Sequence, residues 1–137
     1  MFETKIEVRY SETDKMGIVY HSRYFPWFEI ARAERLKSYG IEYSELEKRG
    51  LMMPITECNC KYRKGAVYGD VVTVKVRFES LTVARAKDSY EVYANGCLLA
   101  EGYTVQAFVD DAFKPINLKK SFPDIYSIFE AMRGDDK

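Results

Sequence analysis

The chain reads as an α+β protein in which an antiparallel sheet of about five strands curls over one long apolar helix, with a further helix at the C-terminal end. Three observations predict this. Residues 22–39 are helical in period and crowded with aromatic side chains, whereas the stretch from Met53 to Val109 alternates with period two. Within that stretch stands Asn95-Gly96, the dipeptide favoured in two-residue type I′ hairpins.

Taken in order, Thr4 to Tyr10 sets Ile6, Val8 and Tyr10 against Lys5, Glu7 and Arg9, the pattern of a half-buried first strand. The main helix is expected from about Ser22 to Tyr39, with Pro26 near its first turn and Gly40 as its C-terminal stop. Tyr24, Phe25, Trp27, Phe28, Ile30 and Ala31 leave its first half little polar surface, so the sheet should wrap that half. Arg32, Glu34, Arg35 and Lys37 turn the second half toward solvent or an interface. A short second helix carries Ser44-Glu-Leu-Glu47 as a capping box and stops at Gly50. Strands follow over Ile55–Tyr62, Val72–Glu79, Val83–Ala94 and Cys97–Val109, with Asp110-Asp111 ending the sheet. The last helix spans about 121–133, with Ser121 as its cap, Pro123 in its first turn, and Tyr126, Ile128, Phe129 and Met132 as its apolar contacts.

A length of 137 residues suits a single domain over 1–137. Lys+Arg and Asp+Glu are 21 each, so there is no general basic field for nucleic acid or an anionic membrane, and an anionic ligand needs a local cluster of cations. The N-terminus has no continuous apolar stretch and no run reaches the length of a membrane span, so a cytoplasmic location is expected. Cys58, Cys60 and Cys97 read as reduced thiols serving as small core residues; no Cys/His spacing suits a metal.

The segment Tyr10-Ser-Glu-Thr-Asp14-Lys-Met-Gly17-Ile-Val-Tyr20-His21 places a carboxylate in a tight turn ahead of a helix start, with the chain's single histidine seven positions after Asp14. Helix N-termini offer unpaired N–H groups and partial positive charge, so a carboxylate and amide donors can face one electrophile there. Gly17 lets the chain turn tightly enough for that approach. Asp14 can equally do no more than shape an Asx turn. The chain has no Gly-x-Ser-x-Gly elbow and no phosphate-cradling glycine loop, which leaves serine-hydrolase and nucleotide-hydrolase chemistry without residues.

The run Asp14-x-x-Gly17-Ile18-Val19-Tyr20-His21-x-x-Tyr24 entering an aromatic helix, in the order strand, helix, short helix, four strands, resembles the hotdog-fold thioesterases of the 4-hydroxybenzoyl-CoA thioesterase family. The likeness is strongest to the bacterial acyl-CoA thioesterases associated with the Tol-Pal system. It covers about residues 4–110, leaving the C-terminal helix outside. It implies hydrolysis of an acyl-CoA thioester with no metal or cofactor, coenzyme A being part of the substrate. Asp14 is then the nucleophile or the general base, and the backbone N–H at His21 polarises the thioester carbonyl, with Gly17 shaping the turn between them. The His21 imidazole could assist proton transfer or do nothing.

For substrate binding, Tyr20 and Tyr24 are the candidates beside the acyl group, although the aromatic cluster of Tyr24, Trp27 and Phe28 also reads as plain core. Arg63, Lys64, Arg85 and Lys87 are candidate partners for the nucleotide phosphates, or else solvated charges. Glu29 on the central helix is given no catalytic role. The same chemistry on an acyl carrier protein, or a non-catalytic acyl-CoA-binding module, are the alternatives. A curled sheet with an open edge predicts self-association, as a homodimer or a dimer of dimers, a homotetramer.

Overall fold

A computed structural model describes residues 1–136. The chain runs through β1 (Phe2–Glu7), α1 (Tyr24–Ser38), α2 (Tyr43–Lys48), β2 (Ile55–Tyr62), β3 (Val71–Leu81), β4 (Arg85–Ala94), β5 (Cys97–Ala107), α3 (Leu118–Ser121) and α4 (Pro123–Asp135). The five strands form one antiparallel sheet in the order β1-β3-β4-β5-β2. Asn95 and Gly96 join β4 to β5 with φ of 52° and 77°, the pair of left-handed conformations that a type I′ turn demands.

Helix α1 lies across the inner face of the sheet. Tyr24, Trp27, Phe28 and Ala31 pack with Val72, Val74, Val76, Tyr90 and Val92 into one buried cluster. Phe28 stacks on Tyr90 with ring centroids 4.1 Å apart. Truncating Trp27 or Phe28, both almost fully buried, to alanine removes about 3–5 kcal/mol. A second cluster joins Leu36, Ile41, Leu46 and Leu51 to Phe78, Phe108, Ile125, Phe129 and Met132, so α4 closes the end of the sheet away from the start of α1.

Several expectations need correction. The first strand stops at Glu7, opposite Val71 where its partner β3 begins; Val8 still donates its N–H to Asp70 O at 2.9 Å, but the ladder goes no further. Tyr10 instead enters a 3₁₀ turn and is 75% exposed. Helix α2 starts at Tyr43 with Glu42 extended before it, so Ser44 lies inside the helix and caps nothing. Ser121 closes α3, which Asn117 caps by accepting the Lys120 N–H at 3.1 Å, and Phe122 precedes Pro123 at the start of α4. The cysteines are unbridged but are not core residues: Cys58 and Cys97 are exposed and Cys60 is half-buried, because β2 is an edge strand and Cys97 borders the hairpin.

The largest correction concerns Arg32 and Arg35, which are buried at 8% and 4% exposure. Helix α1 continues beneath β4 instead of rising from it. Arg35 meets Asp88 at 2.7 Å, and Arg32 donates to the Tyr90 hydroxyl at 2.9 Å, which in turn bonds Thr104 at 2.6 Å. Burial pushes the Asp88 carboxyl up against the opposing pull of Arg35 and Arg32. Among the described residues, no helix is long and apolar enough to cross a membrane.

Candidate active site

After β1 the chain folds into the turn that the sequence singled out. Asp14 N–H donates to Ile18 O at 2.9 Å and Gly17 N–H to Asp14 O at 3.0 Å, with Gly17 at φ 82°. Asp14 Oδ1 accepts the Met16 N–H at 2.8 Å. Asp14 therefore does form an Asx turn. Only one carboxylate oxygen is used for it, and Oδ2 takes no hydrogen bond among the described residues.

Both ends of this turn are tied down. Val19 N–H donates to Ala66 O and Tyr20 N–H to Glu12 O, each at 2.8 Å. Gly65, just before Ala66, lies so close that a Cβ there would stand 2.7 Å from Ile18 Cγ2, so a side chain would push the β2–β3 loop off the Asp14 turn. Glu12 is 4% exposed, and its carboxylate accepts the Arg9 N–H at 2.8 Å and the Trp27 Nε1–H at 2.9 Å. It thereby holds the turn on α1. Sequence reasoning passed Glu12 by, since its indole partner is fifteen residues away and no local pattern links them.

A 3₁₀ turn at His21–Arg23 leads into α1. Its bonds run from Arg23 N–H to Tyr20 O at 2.9 Å and from Tyr24 N–H to His21 O, which leaves the N–H groups of His21 and Ser22 outside the turn's own pattern. His21 lines a cleft of about 250 Å³ whose walls also include Asp14, Tyr24, Tyr62, Arg63 and Lys64. Tyr62, the last residue of β2, was not among the candidate site residues read from the sequence. Its hydroxyl donates to His21 O at 2.8 Å, and its ring stands edge-on to Tyr24 with centroids 5.0 Å apart.

The predicted site residues thus divide. Asp14, His21, Tyr24, Arg63 and Lys64 line one cleft and Gly17 shapes the Asp14 turn beside it, with Tyr24 only 2% exposed and its phenol pushed up by burial. Tyr20 lies beside it, its ring 4.3 Å from the imidazole, but is not part of the cleft wall. Arg63 is shared with Glu101 in an ion pair. Arg85 and Lys87 are not brought to the cleft. Ala86, Asp88, Tyr90 and Val92 take the inner face of β4, which sends Arg85 and Lys87 to the outer face. There Lys87 pairs with Glu79 at 3.1 Å and covers the Tyr103 ring at 4.3 Å. Glu29 borders a separate groove with Arg32 and Gln106. Among the described residues no cluster of His, Cys, Asp and Glu is arranged to hold a metal ion.

A carboxylate with a free oxygen, open amides at a helix start, and a cationic rim form a set able to attack a carbonyl and hold the oxyanion that develops. The sequence pattern of the thioesterase-like superfamily matches residues 8–125. The chain belongs to the thioesterase-like superfamily. It is a thioester hydrolase, and its five strands wrapped on α1 are the hotdog fold of such enzymes.

Two relatives and one solved structure illustrate the superfamily. A Bacillus subtilis protein provisionally named an acyl-CoA thioesterase is 38% identical over 128 residues, 92% of this chain and 93% of that one. The acyl-CoA thioesterase of Haemophilus influenzae is 27% identical over 121 residues, 87% of this chain and 89% of its own. The crystal structure of the DHNA-CoA thioesterase of Staphylococcus aureus superposes with a TM-score of 0.90 at 38% identity, covering 98% of this chain and 94% of that one.

Proposed function

We propose that this thioesterase-superfamily member hydrolyses acyl- or aroyl-CoA to the free acid and CoA, with Asp14 as nucleophile or general base and the main-chain amide of His21 as oxyanion donor. The observation that carries this is the juxtaposition of the free Asp14 oxygen and the open helix start on one cleft. Oxygen adds to the thioester carbonyl carbon, the carbonyl electrons move onto its oxygen, and their return expels the CoA thiolate. In one route Asp14 itself adds, giving an anhydride that water then cleaves. In the other it takes the proton of the attacking water. A thiolate leaves without acid help, so the cycle needs neither metal nor cofactor, and a preorganised amide supplies about 10²–10³ in rate.

The motif from Asp14 to His21 supports membership of the 4-hydroxybenzoyl-CoA thioesterase-like branch, near the Tol-Pal-associated enzymes, and we read the protein as cytoplasmic. Lys64 and Arg63 at the mouth are the cations for the nucleotide phosphates. The protein works as a homodimer or dimer of dimers. Strand β2 is an edge strand whose residues are exposed apart from the half-buried Cys60, and self-pairing about Asn59 sets Glu57 of one copy against Lys61 of the partner subunit twice over.

Free-thiol release from short, long and aromatic acyl-CoAs, compared between the parent and Asp14→Asn, tests the reading. Turnover that falls by orders of magnitude in the variant, with ligand still bound, supports it. Turnover only on acyl carrier protein thioesters moves the substrate to that class. Binding without turnover on either makes the protein an acyl-CoA-binding module.

A further inference from the structure

We infer that Tyr62 is a positioning residue of the hydrolytic site, acting through the His21 carbonyl on the Ser22 main-chain amide, a second oxyanion donor at the start of α1 beside that of His21. This rests on the thioesterase reading above. The first carbonyls of the helical entry are each pinned. Tyr20 O accepts the Arg23 N–H, an ordinary bond of the turn. His21 O accepts two donors, the Tyr24 N–H from within the helix and the Tyr62 hydroxyl at 2.8 Å from across the cleft. The His21 carbonyl and the Ser22 N–H belong to one planar peptide unit, and every peptide among the described residues is trans, so they point in opposite directions. Fixing the carbonyl fixes the aim of that N–H. A carbonyl that accepts two bonds also polarises its own peptide, which strengthens the N–H as a donor.

The Tyr62 side chain suits this work. Its ring is braced edge-on by Tyr24 at 5.0 Å and His21 at 6.3 Å. Burial, helped by the neighbouring Cys60 thiol, pushes its phenol above the usual range. It is the last residue of the edge strand β2, so the surface available for self-association adjoins the support of the helix start.

Tyr62→Phe keeps the ring and removes only the hydroxyl. The expected result is a fall of kcat by tenfold or more, with KM and the affinity for a non-hydrolysable thioether analogue of the substrate within about twofold and the thermal midpoint nearly unchanged, since a fully absent oxyanion donor costs about 10²–10³. An unchanged kcat, or a raised KM with kcat intact, overturns the assignment and makes Tyr62 a wall of the cleft. If the parent turns over and responds to Asp14→Asn while Tyr62→Phe behaves as the parent, this inference alone fails. If the parent hydrolyses no thioester, the underlying reading fails and takes the inference with it.

Discussion

The indole N–H of Trp27 donates to the buried carboxylate of Glu12 at 2.9 Å, joining the turn that carries Asp14 to the helix that carries the amide donors. Its two carboxylate oxygens and its main-chain oxygen serve the Trp27 indole, Arg9 N–H and Tyr20 N–H respectively, so one residue sets the separation of the two halves of the site.

Glu12→Gln should therefore harm activity more than its size suggests. The amide NH₂ would face an N–H donor in a site that excludes water, which costs about 1–3 kcal/mol. Urea denaturation together with thiol-release kinetics should show reduced stability and, in the protein that remains folded, a kcat lower by about tenfold. Full kcat with reduced stability alone would mean that Glu12 supports the fold and not the spacing of the site.

Arg35 and Asp88 give a second expectation. They meet at 2.7 Å with 5% and 1% side-chain exposure, so removing the cation alone strands a buried carboxylate. Arg35→Met should cost about 3–5 kcal/mol, whereas Arg35→Met with Asp88→Leu should recover most of that loss. A double-mutant cycle in urea measures this. Equal losses in the single and double variants would show that Arg35 matters through its packing, including its position 4.1 Å over the Phe78 ring, and not through the ion pair.

What was legible in the sequence is what short-range patterns encode. The aromatic first half of α1, the hairpin at Asn95-Gly96, β2 from Ile55 to Tyr62, and the tight turn between Asp14 and Gly17 all follow from spacing within a few residues. The illegible parts depend on residues far apart in the chain. Arg32 finds Tyr90 fifty-eight positions away, and Tyr62 finds His21 O across forty-one. The inner face of β4 also hides its hydrophobic signal behind Asp88, a charge that reads as solvent-facing until Arg35 is seen beside it. That obscured face is why Arg85 and Lys87 looked available to the cleft.

The most direct measurement compares His21→Pro with His21→Ala. Tyr20 has φ −62° and ψ 135°, the extended conformation that suits the residue before a proline, and His21 opens the helical turn, where proline fits. His21→Pro thus removes the main-chain donor and the imidazole without breaking the helix, and His21→Ala removes the imidazole alone. With folding verified by circular dichroism, the account predicts that the alanine variant retains activity within about tenfold and that the proline variant loses a further ~10²–10³ in kcat. A proline variant as active as the alanine variant would contradict it, because the His21 amide could not then be the group that holds the oxyanion.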